Sequence, residues 1–161
     1  MRHSSSIVGL LLLACFIPLL SSARREEVIL TASDKALNNY FGTSTSASGN
    51  IAVIGAYGHN TDGVTGSGQA YIFRSASGGT TWNEIQKLAA SDKAANNYFG
   101  MAVSIDGYRI LVGAFYHAFS GAAYVFGSTD EGASWPSSEN EKFTASDGAS
   151  GDQFGLSVTV F

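Results

Sequence analysis

One eleven-residue segment occurs twice in this chain with a single difference, and a looser copy occurs a third time. It reads ASDKALNNYFG at 32–42, ASDKAANNYFG at 90–100 and ASDGASGDQFG at 145–155. The copies are spaced by 58 and then 55 residues. Such a period indicates a repeat architecture, in which each unit buries its apolar face against its neighbours.

Each complete repeat carries a second landmark thirteen residues after the glycine of its Phe-Gly pair. The landmarks are Phe41-Gly42, Phe99-Gly100 and Phe154-Gly155, followed by Gly55-Ala56 and Gly113-Ala114. The second landmark closes a run rich in β-branched residues, at 51–57 or 110–115, that is too short for a helix and predicts a buried strand. The segments SASGN and SIDGY before these runs are typical of hairpin turns.

Two further strands are predicted in each repeat. GQAYIF at 68–73 matches GAAYVF at 121–126, and WNEIQKL from Trp82 has a weaker counterpart at 141–143. Four strands in about 57 residues is the size of one β-propeller blade. The sequence therefore predicts an all-β chain of four-stranded antiparallel blades, about two and a third in number.

The predicted organisation is a signal peptide at 1–23, a first blade at 24–88, a second at 89–143 and a partial third at 144–161. A positive start, an apolar run and small residues before the cleavage position predict secretion, and no other run resembles a membrane segment. Propellers close with about four to eight blades. We therefore expect either further blades in a longer chain or self-association of several copies into one ring.

The charge pattern narrows the partners. The formal net charge is −4 and no basic cluster is present, which argues against nucleic acid or an anionic membrane as partner. The single cysteine, Cys15, lies within the predicted signal peptide. Order in the mature chain is therefore expected from β-ladders and apolar burial, without a disulfide.

A hairpin motif recurs within the repeats. STDEGASW at 128–135 resembles the Asp-box of several propeller families, and SASGGTTW at 75–82 fits it except that Ser77 replaces the acid. In such a hairpin, Asp130 would accept turn N–H groups and the tryptophan would pack against the sheet. We predict Trp82 and Trp135 to be packing anchors, with sugar stacking as the alternative.

The landmarks, in their repeated order and equal spacing, resemble FG-GAP repeats, which build the propeller heads of integrin α chains and many secreted or surface proteins. The resemblance implies a seven-bladed propeller that recognises an extracellular protein or glycan. Tyr57 and Phe115 replace the proline that ends the family's second landmark.

Calcium-holding blades of this type carry an Asp-x-Asp-x-Asp-Gly loop between the landmarks, which this chain lacks. A hard cation needs six to eight oxygen ligands, and Asp106 alone cannot supply them. Asn60 and Asp62 lie in a loop after the second landmark. The sequence therefore predicts no cofactor and gives calcium no complete ligand loop.

Three aspartates recur in register: Asp34, Asp92 and Asp147. A glycosidase needs two carboxyl groups roughly 5–10 Å apart, whereas equivalent positions on successive blades are rotated about an axis. We therefore predict that each aspartate caps a connecting turn. His59 and His117 occupy the same loop of two copies without a recognisable nucleophile motif, and we predict both to be solvated.

These observations favour a secreted binding or adhesion module without catalysis. The alternatives are a glycosidase-like hydrolase whose active site lies outside this chain, and a purely structural scaffold. The loops at 58–68 and 116–121 are predicted to lie on one edge and to set specificity. The candidate ligand residues are Tyr57, His59, Asn60, Asp62, Phe115, Tyr116 and His117, whose aromatic members could equally fill the core between blades.

Overall fold

A computed structural model describes residues 28–76 and 78–161, in which two four-stranded antiparallel sheets are formed. The predicted signal peptide lies outside the described residues. In both sheets the spatial order of the strands follows the sequence, which confirms the prediction of four-stranded antiparallel blades. The strands are β1 Thr45–Ser48, β2 Ile51–Ala56, β3 Gln69–Ser75, β4 Trp82–Leu88, β5 Phe99–Asp106, β6 Arg109–Ala114, β7 Ala122–Gly127 and β8 Glu141–Phe143.

The predicted turns join the first two strands of each sheet. Gly49 and Asn50 connect β1 to β2, and Gly107 and Tyr108 connect β5 to β6. Both glycines have positive φ, +58° and +52°, as tight hairpins of two residues require. The one helical element among the described residues is the short 3₁₀ turn His117–Phe119.

The two sheets pack face to face around a shared core. β5 lies against β1 and β2, so the second sheet covers one face of the first. The covered face of the first sheet carries β-branched and leucine side chains, which pack against aromatic and aliphatic side chains of β6 and β7. The core includes Ile51, Val53, Ile72, Leu88, Phe99, Ile110, Val112, Tyr124 and Phe126.

A second core lies on the opposite face of the first sheet. Ile54, Tyr71 and Phe73 are buried there, with Phe41 and Trp82 partly buried against them. Period-two alternation along β2 and β3 therefore feeds two cores, one on each face, because a strand sends successive side chains to opposite sides. This is the arrangement expected of a sheet stacked between two neighbours.

The outward face of the second sheet is less covered. Residues 154–160 of the third repeat lie along it and leave a groove of about 490 Å³. Phe143 on β8 is 46% exposed, whereas Leu88, its counterpart on β4, is 1% exposed. The third repeat nevertheless follows the second as the second follows the first, since Val160 N–H donates to Ser104 Oγ at 3.1 Å and Ile105 N–H donates to Ser46 Oγ at 3.1 Å.

Candidate functional site

The sequence landmarks are the points at which consecutive repeats touch. A Cβ on Gly55 would lie 2.0 Å from the carbonyl oxygen of Gly100, and a Cβ on Gly113 would lie 1.9 Å from that of Gly155. Because the obstructing atoms belong to the backbone, only glycine permits this approach. The Phe-Gly pair of each repeat therefore sits on the Gly-Ala pair of the repeat before it. We call this contact the repeat joint.

The loop that follows the second landmark of a repeat also contacts the next repeat, and it therefore belongs to the joint. Tyr98 N–H donates to the carbonyl of Gly66 at 3.0 Å, and Phe99 N–H donates to that of Ser67 at 3.0 Å. At the next joint, Phe154 N–H donates to the carbonyl of Ser120 at 2.8 Å. The loops predicted to set specificity therefore also hold the following repeat in place.

The recurring aspartates bind distant strands of their own repeat. The Tyr71 hydroxyl donates to Asp34 Oδ1 at 2.7 Å, and Lys87 Nζ donates to Asp34 Oδ2 at 2.6 Å. The prediction that Asp34 and Asp92 cap their own turns is therefore wrong, because the third and fourth strands of each sheet supply their donors. We call this arrangement the aspartate latch. In the second repeat its members are Asp92, Tyr124 and Lys142.

The serine before each aspartate reinforces the latch. Ser33 donates from its N–H and its hydroxyl to the Glu84 carboxylate, at 2.9 and 2.8 Å. Ser91 binds Glu139 in the same way, at 3.1 and 2.7 Å. In the first two repeats, the Ser-Asp part of the segment thus attaches the start of the repeat to its last two strands or to the residue shortly before the last strand.

Both loop histidines face the latches. The side chains of His59 and His117 are only 13% and 14% exposed, and their Nε2 atoms lie 3.4 and 3.6 Å from Asp34 and Asp92. The prediction that they are solvated is therefore wrong, because the loops fold back over the latch carboxylates. His117 Nε2 also lies 2.8 Å from Lys142 Nζ, a contact in which the ammonium donates to a neutral imidazole.

The latch of the second repeat has fixed protonation states at neutral pH. Burial raises the pKa of Asp92, but hydrogen bonds from Lys142 and Tyr124 outweigh it and hold the pKa below its ordinary value. Burial, helped by the Lys142 cation, lowers the pKa of His117 against the opposing charge of Asp92. Burial and the aspartate raise the pKa of Tyr124. In the second repeat, ionised Asp92, neutral His117 and protonated Tyr124 are thus compatible with one another. The recurrence of the aspartate contacts in two repeats favours a structural role.

The third aspartate has no such latch. Asp147 is exposed, and no hydrogen bond joins its carboxylate to another side chain of the described residues. In the first two repeats the tyrosine and lysine partners lie on the third and fourth strands. Residues 144–161 of the third repeat contain neither of these strands.

The Asp-box hairpin forms as the motif predicts. Asp130 accepts from Ser134 N–H at 2.9 Å and from the hydroxyls of Ser128 and Ser134 at 2.7 and 2.6 Å. These bonds hold the pKa of Asp130 well below its usual range. Trp135 is 5% exposed and lies in the shared core, which confirms it as a packing anchor. Trp82 is partly buried in the second core, and Ser77 lies outside the described residues.

The candidate calcium ligands are engaged elsewhere. Asn60 Oδ1 accepts from Gly66 N–H at 2.8 Å, and Asp62 pairs with Lys93 at 3.1 Å. Within residues 28–76 and 78–161, no three His, Cys, Asp or Glu side chains converge as a metal site would require.

Aromatic rings from both repeats form a continuous row along the loop edge. Tyr40 and Tyr57 stack with centroids 4.8 Å apart and planes 2° apart. Tyr98 and Phe115 stack at 5.4 Å and 16°. Tyr57 and Tyr98 meet edge to face across the joint at 5.8 Å and 77°. We call this the aromatic row; its members are Tyr40, Tyr57, Tyr98, Phe115, Tyr116 and Phe119.

The row lines a surface groove of about 580 Å³. Four of its rings form the walls, and Asn38, Asn60 and Thr65 add polar groups. Tyr40 is 52% exposed. Tyr57 and Tyr98, which have ring neighbours on both sides, also remain partly exposed. The row is therefore a surface feature of the joint and does not fill the core between sheets.

The structure regroups the predicted ligand residues. It brings Tyr57, Asn60 and Phe115 into the groove, with Tyr116 beside them, and it places His59 and His117 in the latches. Asp62 lies outside the groove lining. Tyr40 and Tyr98 were missed, although a signal was present: a tyrosine precedes the Phe-Gly pair in two copies, and Gln153 takes that position in the third.

Comparison with known proteins agrees with the fold. The family described as FG-GAP repeat matches residues 25–73, 82–126 and 137–161. A search of curated proteins gave no match. No helix among the described residues is long and apolar enough to cross a bilayer. The three matched segments correspond to the three repeats and together cover most of the sequence, so this chain belongs to the FG-GAP repeat family.

Proposed function

We propose that this chain is a secreted β-propeller module that binds an extracellular ligand without catalysis, and that the groove along the aromatic row is its binding site. FG-GAP repeats build propeller modules that are often related to adhesion. The proposal depends on one observation: partly exposed aromatic rings from two repeats line a single concave surface. Clustered apolar side chains on a surface are characteristic of interaction sites.

The composition of the groove suits recognition. Tyrosine presents a large apolar face and one hydroxyl, so it contributes contact area and orientation at a low entropic cost. The asparagine and threonine groups beside the rings supply hydrogen bonds that fix the ligand.

The positions of the ionisable groups support a non-catalytic role. The groove lining contains no carboxylate, histidine, lysine or arginine. The latch aspartates are instead bonded to lysines of their own repeats, and Asp62 pairs with Lys93. General acid–base chemistry most often uses a histidine or a carboxylate within reach of the reacting atom, and tyrosine is the one titratable residue type in this lining.

Binding to an array of immobilised extracellular glycans and matrix proteins tests the proposal. We expect Tyr40→Ala to weaken, by several-fold, the signals that the wild-type chain gives, because this exposed ring borders the groove. Tyr108→Ala is the matched control, since Tyr108 is also exposed but lies in the β5–β6 hairpin, at the opposite end of the strands. Equal signals from the wild type and Tyr40→Ala, with both proteins folded, would refute the proposed site. Amino-terminal sequencing of protein from the culture medium tests secretion and cleavage.

A further inference from the structure

We propose that the ligand of the aromatic groove is a neutral glycan chain that lies across the joint of the first two repeats. This inference rests on the proposed function, since it names the ligand class for the same site.

The groove lining is uncharged. The groove is lined by aromatic rings, Leu37, backbone, amides and a threonine hydroxyl, with no charged side chain among them. A charged peptide or an anionic polysaccharide would lose hydration on entering and meet no countercharge, which is costly. A neutral sugar carries only uncharged hydroxyl, acetal or acetamido groups, and it escapes that penalty.

The polar groups of the groove can both donate and accept hydrogen bonds. Asn60 Oδ1 is occupied by Gly66 N–H, so its exposed amide retains N–H donors for a ligand. Thr65 and the tyrosine hydroxyls can donate or accept. Such a mixed set matches sugar hydroxyls, which also donate and accept.

The rings of the aromatic row have a geometry suited to sugar stacking. Tyr40 and Tyr57 form one nearly parallel stack, Tyr98 and Phe115 form another, and the two stacks meet at 77° across the joint. They therefore present flat surfaces in two orientations. The negative face of an aromatic ring attracts the polarised C–H groups on the apolar face of a pyranose.

The groove is of a size typical of small-molecule sites. A stable protein interface buries about 800 Å² on each partner. The groove volume of about 580 Å³ instead lies within the range of roughly 300–1,000 Å³ typical of small-molecule sites. A short stretch of a glycan chain fits this volume, whereas a folded protein would engage only its rim.

The third repeat limits the number of sites. Gln153 stands where Tyr40 and Tyr98 stand in the other copies, so the second joint lacks a stack like that of Tyr98 and Phe115. We therefore expect one glycan site per chain.

Titration calorimetry on the purified chain tests the inference, with hexasaccharides of β-1,4-linked glucose, mannose and N-acetylglucosamine as probes and a hexagalacturonate as the anionic comparison. We expect a neutral hexasaccharide to bind with a stoichiometry of one and with little dependence on salt. Tyr40→Ala should weaken binding by about three- to tenfold, the range of a single aromatic contact. Tyr40→Phe should retain most of the affinity, and Tyr108→Ala should retain all of it.

The contrary outcomes separate the two proposals. Salt-sensitive preference for the galacturonate overturns the neutral-glycan inference. So does failure of every hexasaccharide when a matrix protein on the array binds and loses binding in Tyr40→Ala; that result leaves the proposed function standing. Absence of any ligand sensitive to Tyr40→Ala overturns both.

Discussion

The joint between the first and second repeats and the joint between the second and third make the same backbone contact but bury very different amounts of side chain. Gly55 meets Gly100 at the first joint, as Gly113 meets Gly155 at the second. Yet Phe99 is fully buried, whereas Phe154 is only partly buried. The Phe-Gly contact therefore forms with eighteen residues of the following repeat (144–161), while burial of the sheet face requires the whole following sheet.

The latches differ in the same sense. Asp92 has both of its strand partners, and Asp147 has neither among the described residues. At each joint, the backbone contact can thus form with any adjacent segment, whereas burial of the side chains depends on a complete neighbouring sheet. Substitutions at equivalent positions should separate these two contributions.

The largest contrast is expected between the two tryptophans. Trp135→Ala should lower the free energy of unfolding by about 3–5 kcal/mol, because it leaves a cavity in the core between two complete sheets. Trp82→Ala should cost roughly half as much, since Trp82 is only partly buried. Urea unfolding followed by circular dichroism measures both. Equal losses would contradict the comparison.

The glycines of the two joints give the next contrast. Gly55→Ala places a methyl group on the backbone of a fully packed sheet and should destabilise by about 3 kcal/mol. Gly113→Ala makes an equivalent clash with a segment that has no sheet behind it among the described residues, so a cost nearer 1 kcal/mol is expected. Gly127→Ala, where a new Cβ has an ordinary contact at 3.5 Å, is the control for glycine replacement. A greater loss from Gly113→Ala than from Gly55→Ala would show that the third repeat is held as firmly as the second.

The aspartates should differ by a smaller amount. Asp92→Ala removes the carboxylate acceptor of the buried Tyr124 hydroxyl and leaves His117 Nδ1, 3.2 Å away, as its neighbour. The cost should be roughly 1–2 kcal/mol, and partial solvent exposure of the carboxylate weakens the Lys142 contribution. Asp147→Ala should change stability by less than about 0.5 kcal/mol. The paired variants are compared by thermal and urea unfolding, and indistinguishable stabilities would argue against the latch.

The smallest effect is a pH dependence in the second repeat. Because the pKa of His117 is lowered in the folded state, the unfolded chain binds the proton more tightly. The stabilisation is complete above the ordinary value of 6.5 and is lost as the pH falls below it toward the folded pKa. The melting temperature should therefore decrease between pH 7.5 and 5.5, and less so in His117→Gln. An identical decrease in this variant would assign the effect to other groups.

Features set by neighbouring residues could be predicted from the sequence. The strands follow from short β-branched runs, the hairpins from Gly49 and Gly107, and the Asp130 turn from its own motif, because each depends on contacts within a few residues. The family match and the four-stranded sheets agree with these predictions. The number of blades, secretion, the absence of catalysis and the absence of calcium stay predictions.

Features set by topology could not be predicted in the same way. Asp34 binds partners 37 and 53 residues away, so local turn chemistry gave the wrong role for its carboxylate. The aromatic row was only half recognised, because Tyr40 and Tyr98 stand inside a segment that resembles a turn. Their positions relative to Tyr57 and Phe115 depend on how one repeat stacks on the next.

The segment 90–100 is fastened in two directions at once. Asp92 attaches it to strands that follow in the chain, and Ser91 attaches it to Glu139 just before β8. The N–H groups of Asn96, Tyr98 and Phe99 attach it to the loop that precedes it. A fluctuation that releases either attachment loosens the other, so the two sheets should open as one cooperative unit. Slowly exchanging amides in both would then share a common free energy of opening, and proteolysis would yield either intact chain or small fragments, with little accumulation of a single sheet.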